Sequence, residues 1–362
     1  MSALKNILAR QISLSGPITL AEYMTQCLLH PDHGYYTTRD PLGAEGDFTT
    51  APEISQMFGE LIGLCLAQSW IDQGAPSAFT LAEIGPGRGT LMADILRATR
   101  SVPGFHAAAN LHLIEASPTL RAAQKQRLCD HSPTWPDTIA ALPEAPLFLV
   151  ANEFFDALPI RQFTRDPKGW RETMVALVDD ALVAGLSDPA PIQALDHRLD
   201  DTEPGQIVET CAPAAPITAE ISRRIAAHGG AALFFDYGDW QSRGDTFQAL
   251  QNHKPVDPFD NPGQADLTAH VDFEAIAKAA MKATTGTASE ITHSTLIPQG
   301  VFLERLGITA RAQSLAKTLD GPALESHILA HRRLTHPQEM GSLFKTLALF
   351  PKGAPLPPGY DK

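Results

Sequence analysis

The amino-acid sequence predicts an α/β fold: a mostly parallel sheet with an antiparallel edge, preceded by an N-terminal helical segment and carrying inserted elements. Three observations predict it. Strand-like and helical patterns alternate through the centre of the chain, which favours parallel strands joined by right-handed crossovers. The run "PLFLVAN" ending at Asn152 is apolar without alternation, as expected of a strand buried on both faces. A glycine-rich turn, "GPGRG", directly follows the first strand-like run, "FTLAEI", and opens a helix, and α/β sheets bind ligands beyond the carboxyl ends of their strands.

Taken in order, Leu4–Leu14 and Leu20–Leu29 carry apolar residues at helical spacing, and Thr19 followed by Glu22 fits a capping box. "HPDHGYYTTRDPLGAEGDFTTAPEIS" is a long loop rich in Gly, Pro, Thr and aromatic residues, and long loops inside compact domains tend to be functional. Ser55–Trp70 is helical again. "FTLAEI" is the first strand of the alternating region and "TLMADILRATR" its helix. "NLHLIEA" is the second, followed by a helix that Ser117 caps and Pro118 begins. "DTIAAL" reads as a weak third strand and "PLFLVAN" as a strong fourth. "RQFT", "WRETMVALV" and "ALVAGL" suggest an inserted antiparallel piece with turns at Asp166–Gly169 and Asp179–Asp180. The helix "ITAEISRRIAAHGG" leads into strand five, "AALFFDYG", and a long polar loop follows Gly238. The helix "DFEAIAKAAMKA", the strand "TASEITHS", a mainly helical stretch from Gly300 to Gln338 and a last strand "SLFKTLALF" complete the chain. The expected organisation is a helical segment with a lid loop over 1–75, a core over 76–350 with insertions near 160–205, 239–270 and 297–340, and a tail over 351–362.

Composition narrows the function. A chain of 362 residues can bury one large α/β core, or a core plus a smaller lobe. The formal charge of -13 argues against a nucleic-acid groove and favours approach of a basic peptide. The four cysteines are widely separated and show no metal spacing with histidine, so reduced thiols and no bound metal are expected. No stretch approaches the ~20 apolar residues that span a bilayer, and the N-terminus reads as a first helix rather than a signal. A soluble, cytoplasmic protein is expected; its oligomeric state is not legible.

Three ligand classes compete for the glycine turn. A Walker loop needs Lys-Ser/Thr after the last glycine, which Arg88-Gly89-Thr90 does not supply. A dinucleotide fingerprint is left incomplete by Thr90. The S-adenosylmethionine turn, acid-x-Gly-x-Gly-x-Gly, is satisfied by Glu83-Ile84-Gly85-Pro86-Gly87-Arg88-Gly89. That donor carries an ammonium and a sulfonium, both suited to a carboxylate such as Glu83. Glu115, at the end of the second strand, stands where an acceptor for a ribose diol belongs. Glu83, Gly85, Pro86, Gly87, Gly89, Thr90 and Glu115 are therefore the expected donor contacts, against a purely structural turn as the alternative.

Seven blocks, "GDFTTAPEISQMFGE", "AEIGPGRGTLM", "ANEFFDALPIRQF", "FDYG", "DLTAHVDF", "QGVFLERLGI" and "MGSLFK", together resemble the MidA-like family of class I methyltransferases. The resemblance runs in order from Ile18 to Leu349. It implies a Rossmann-like methyltransferase core with S-adenosylmethionine as donor and S-adenosylhomocysteine as product. For the branch acting in mitochondrial complex I assembly, it implies symmetric dimethylation of an arginine on a respiratory complex I subunit. A small-molecule N- or O-methyltransferase, or a donor-binding assembly factor with little turnover, is the alternative.

An arginine acceptor stays protonated at ordinary pH, so its attacking nitrogen must be made electron-rich and lose a proton. Paired carboxylates can do both. Glu153 and Asp156 in "NEFFDALP" are the candidates, with Asn152 orienting the substrate and also facing the donor. Asp156 equally fits a cap for a following helix, and Glu153 a partner for a surface arginine. Asp236, ending strand five, is a further catalytic candidate, with Tyr237 and His270 as substrate contacts. By family analogy the segment holding Asp47 and Phe48 folds over the donor; Thr50 and Glu53 also fit a helix cap and its partner three residues on. Asp260 and Asp266 read as a solvated face.

Overall fold

The computed structural model describes residues 2–38 and 49–361. The chain forms two compact units, one of residues 49–155, 215–238 and 273–362 and one of residues 1–48, 156–214 and 239–272.

The larger unit is built on the alternating region. Its main strands are β1 (Phe79–Ile84), β2 (Ala109–Ile114), β3 (Leu147–Asn152), β4 (Gly230–Asp239), β5 (Ile291–His293) and β6 (Phe344–Pro351). Their order across the sheet is β5-β6-β4-β3-β1-β2. The four strands from β4 to β2 are parallel, while β6 and β5 run antiparallel at one edge. The predicted fold class is therefore found. β1 and β3 are buried at every position, which accounts for their unbroken apolar sequence. Register pairs Ile84 with Ala151 and Asn152 with Phe235, so β1 and β3 end together at one rim, level with Phe235 of β4, which runs on past them to Asp239.

The helix Gln56–Asp72 lies close against Thr90–Thr99 because two of its residues lack side chains. A Cβ on Gly59 would stand 2.6 Å from Asp94 Cβ, and one on Gly63 would stand 2.9 Å from Ile95 Cα. Trp70, Phe79, Phe105 and Phe148 stack edge and tilt beneath, with ring centroids 4.9 to 5.9 Å apart.

"DTIAAL" is not a strand. Ile139–Ala141 form a short 3-10 turn, and among the described residues the position beside β2 is taken by an isolated bridge at Thr134. Leu113 N donates to Thr134 O at 2.9 Å and Thr134 N to Leu111 O at 3.0 Å. Pro133 and Pro136 flank it, and a proline has no N–H to give to a ladder.

In the other unit, helices Ala3–Ser15 and Leu20–Leu29 bury Leu4, Leu8, Ile12, Tyr23 and Met24 in a core that Val175, Leu182 and Leu267 share. The capping box is present: Glu22 N donates to Thr19 Oγ1 at 3.1 Å and Thr19 N to Glu22 Oε2 at 2.8 Å. Arg161–Asp166, Gly169–Val178 and Ala181–Leu186 pair antiparallel as expected. The polar stretch after Gly238 is more ordered than its sequence suggests. It forms a small antiparallel sheet of Gln248–Gln251, Lys254–Val256 and Asp266–Thr268. The connecting Asn252 and His253 both have positive φ, at 52° and 61°, the backbone of a two-residue hairpin turn. Strands of three or four residues carrying Gln and Lys show too little alternation to be read as strands.

Candidate active site

The glycine turn lies between β1 and the helix Thr90–Thr99. Gly85, Gly87 and Gly89 have φ of 65°, 53° and 77°, so each occupies the left-handed region that disfavours side chains. A Cβ on Gly85 would lie 3.1 Å from the Phe154 ring. The turn from strand to helix and the "NEFF" segment therefore pack directly on one another. Thr90, the first helical residue, donates its hydroxyl to Glu53.

Glu83 is 2% exposed at the end of β1. Burial, and then the charge of Glu115, push its carboxyl up to about 8, with the Met92 backbone acting in the opposite direction. Among the described residues its Oε2 makes no hydrogen bond. A buried carboxyl oxygen left open beside a left-handed glycine turn fits a cation-bearing donor, because a positive charge there would offset the cost of burying the acid. Glu115 accepts from Ser117 N at 2.8 Å and from Gln124 Nε2 at 3.3 Å. Burial raises its pKa, and those hydrogen bonds oppose the rise. Gln124, fully buried, was not singled out from the sequence: a glutamine on a mostly polar helix carries no pattern. It also donates to Gly87 O at 2.6 Å and accepts from Trp135 Nε1 at 2.7 Å.

The end of β3 is the second half of the site. Glu153 has φ of 49°, rare for a residue with a side chain. Its N–H donates to Phe235 O at 2.8 Å. Its Oε1 accepts from Ala51 N at 3.0 Å and from Asn152 Nδ2 at 3.1 Å. Asn152 is 7% exposed, and among the described residues its Oδ1 makes no hydrogen bond. The short helix Ala51–Ile54 thus reaches both halves, through Ala51 to Glu153 and through Glu53 to Thr90. Thr50 occupies the N-cap position, but its side chain makes no capping bond; the expected cap pair is replaced by the Glu53–Thr90 bond.

Asp236, fully buried on β4, accepts from Phe154 N at 3.2 Å, Phe155 N at 2.9 Å and Tyr237 N at 3.0 Å. It holds the turn that presents Glu153. Tyr237 packs edge-on against Phe344, centroids 5.4 Å apart. Asp156 and His270 belong to the other unit. A turn rather than a helix follows Asp156, so it caps none. It is 6% exposed, and its carbonyl accepts from Ala269 N at 3.0 Å. His270 N donates to Thr246 Oγ1 at 2.8 Å. Asp266 is not a solvated face: it is 4% exposed and accepts from Tyr36 Oη at 2.7 Å. Burial and the charges of Asp266 and Asp156 raise the Tyr36 phenol well above its ordinary value. Asp47 and Phe48 lie outside the described residues.

Glycine turn, open acid and oriented strand-end acid occur together in one unit. Residues 61–291 match a family of S-adenosyl-L-methionine-dependent methyltransferases. The chain is 37% identical to the protein arginine methyltransferase NDUFAF7, mitochondrial, of Bos taurus, over 94% of this chain and 82% of that protein. The chain belongs to this methyltransferase family. The human counterpart of the bovine protein gives the same 37%, over 94% and 82%. A Burkholderia thailandensis crystal structure with S-adenosyl-homocysteine bound is 29% identical, with a TM-score of 0.83 over 99% of this chain and 94% of that one. This methyltransferase accordingly uses S-adenosylmethionine as its donor. One expectation is corrected. The bovine, human and Drosophila melanogaster relatives are named as mitochondrial proteins, which overturns the cytoplasmic assignment. A helix-like N-terminus and reduced cysteines do not separate one reducing compartment from another. Among the described residues no helix is long and apolar enough to cross a membrane.

Proposed function

We propose that this methyltransferase transfers methyl groups to an arginine side chain of a protein, with Glu153 as the residue that orients and deprotonates the guanidinium. The observation that carries the reading is the Glu153 conformation. A non-glycine residue at φ 49° ends β3, and its carboxylate is steered by Ala51 N–H and Asn152. Strain of this kind persists only where surrounding structure holds it, as the Asp236 bonds to Phe154 and Phe155 do here. S-adenosylmethionine, when bound, supplies an activated methyl group and leaves as S-adenosylhomocysteine. Glu83, Gly85, Pro86, Gly87, Gly89, Thr90 and Glu115 would hold it, and Asn152 Oδ1, which makes no hydrogen bond among the described residues, is a further acceptor. A carboxylate facing a guanidinium draws positive charge onto the nitrogens it bonds and can take the proton that methylation releases. The net charge of -13 suits a basic acceptor segment.

The names of the bovine and human relatives support an arginine acceptor, and the motif resemblance supports a respiratory complex I subunit and symmetric dimethylation. Incubation with methyl-labelled donor and a fractionated extract is expected to place label in dimethylarginine of a protein band. Glu153→Gln should lower that labelling by about a hundredfold or more, in the range of a lost general base, with S-adenosylhomocysteine affinity retained. Label found in lysine, in hydroxyl groups or only in small molecules would sink the arginine assignment.

A further inference from the structure

We propose that Gln124 is a positioning residue of the donor site, which fixes the Glu115 carboxylate and the Gly87 carbonyl together and so gives the site its preference for an intact ribose. The inference rests on the reading of Glu115 as the ribose acceptor. Gln124 is fully buried, and its amide makes three hydrogen bonds: Nε2 to Gly87 O, Nε2 to Glu115 Oε2, and Oε1 from Trp135 Nε1. Chemistry settles the amide orientation. A carbonyl and a carboxylate only accept and an indole N–H only donates, so the reverse orientation would break all of these bonds. Trp135 follows directly on Thr134, the residue bridged to β2. Trp135 thus fixes Gln124 from the sheet edge, and Gln124 passes that position to the turn and to Glu115.

The arrangement leaves Glu115 oriented without exhausting it. Ser117 N–H takes one lone pair on Oε1 and Gln124 takes one on Oε2, the Ala116 N–H also faces the carboxylate, and each carboxylate oxygen can accept twice. A diol needs two acceptors at fixed spacing, and a carboxylate clamped at both oxygens offers them without first losing rotamer freedom. Gln124 also stands against the turn itself, where a Cβ on Gly89 would meet Gln124 Cγ at 3.4 Å.

The test is calorimetric binding of S-adenosylhomocysteine and of its 2′-deoxyribose analogue to the full chain. The parent protein should prefer the intact ribose. Gln124→Met, which keeps length and burial, and Glu115→Gln are each expected to weaken S-adenosylhomocysteine binding about tenfold. Both should also erase the preference over the deoxy analogue, which a merely structural fault would leave in place. The double variant should be no weaker than the worse single one, because the two residues act through one carboxylate. Trp135→Phe, which keeps an aromatic ring in place, should give a smaller loss in the same direction and reports even where Gln124→Met folds poorly. Glu115→Gln at parental affinity would overturn the donor-site reading and this proposal with it. A weakened Glu115→Gln beside Gln124→Met and Trp135→Phe that bind and discriminate like the parent would overturn this proposal alone.

Discussion

At the scale of the residue, Glu83 makes the sharpest claim, because it combines full burial with an oxygen that the described residues leave without a hydrogen bond. Its carboxyl is raised from 4.5 to about 8. A folded-state value above the unfolded one means the folded protein holds the proton more tightly. The stability this contributes is complete below pH 4.5 and declines as pH rises toward 8. Glu83→Gln imitates the protonated acid. It should flatten the pH dependence of the melting temperature across that window and raise stability relative to the parent at pH 8. Donor binding carries the complementary signature. The amino-acid ammonium of S-adenosylhomocysteine near the acid favours its charged form, so binding near pH 7 should release up to about one proton. Titrations in buffers of different ionisation heat would measure it, and Glu83→Gln should abolish it. Equal proton release in both proteins would show that another group is responsible.

At the scale of the element, the "NEFFD" turn depends on an acid distant in sequence. Asp236→Ala would strand the Phe154, Phe155 and Tyr237 amides, each costing about 1–3 kcal/mol if it stays buried without a partner. The denaturant midpoint should fall, and labelling activity should fall with it as Glu153 loses its left-handed conformation. Asp236→Asn keeps one acceptor oxygen and should be intermediate in both. Unchanged activity in Asp236→Ala would mean that the turn holds Glu153 without it. This dependence explains what could be read in advance. The glycine turn was legible because left-handed φ at Gly85, Gly87 and Gly89 constrains residue type directly. β3 was legible because burial on both faces leaves an apolar run. Asp236 could be placed on the rim, but its role as acceptor for a neighbouring strand's turn depends on register between β3 and β4, which composition does not encode. Gln124 and the Glu53–Thr90 bond were missed for the same reason: each joins elements more than thirty residues apart in sequence. The hairpin at Asn252–His253 was missed because its strands are short and polar. Asp266 was misread because a carboxylate in a Gly/Pro-rich loop is usually exposed, and only the fold brings Tyr36 to it.

At the scale of the whole molecule, the chain passes back and forth between its two units, each assembled from three separate segments. The proposed donor contacts and Gln124 all belong to the unit of residues 49–155, 215–238 and 273–362. A ligand that binds only the native state stabilises what it binds by RT ln(1 + [L]/Kd), about 2.7 kcal/mol at a hundred times Kd. Saturating S-adenosylhomocysteine should therefore slow amide exchange most in β1, β2 and β3, whose carboxyl ends carry Glu83, Glu115 and Asn152. The antiparallel strands Arg161–Asp166, Gly169–Val178 and Ala181–Leu186 touch none of these residues through their ladders and should gain less. The contrast should vanish with Gly87→Val, which forces a branched side chain into φ 53° and removes the binding on which the protection depends. Protection that instead concentrates in residues 161–186 would place the donor against the inserted sheet and would require the glycine turn to be reread as structural.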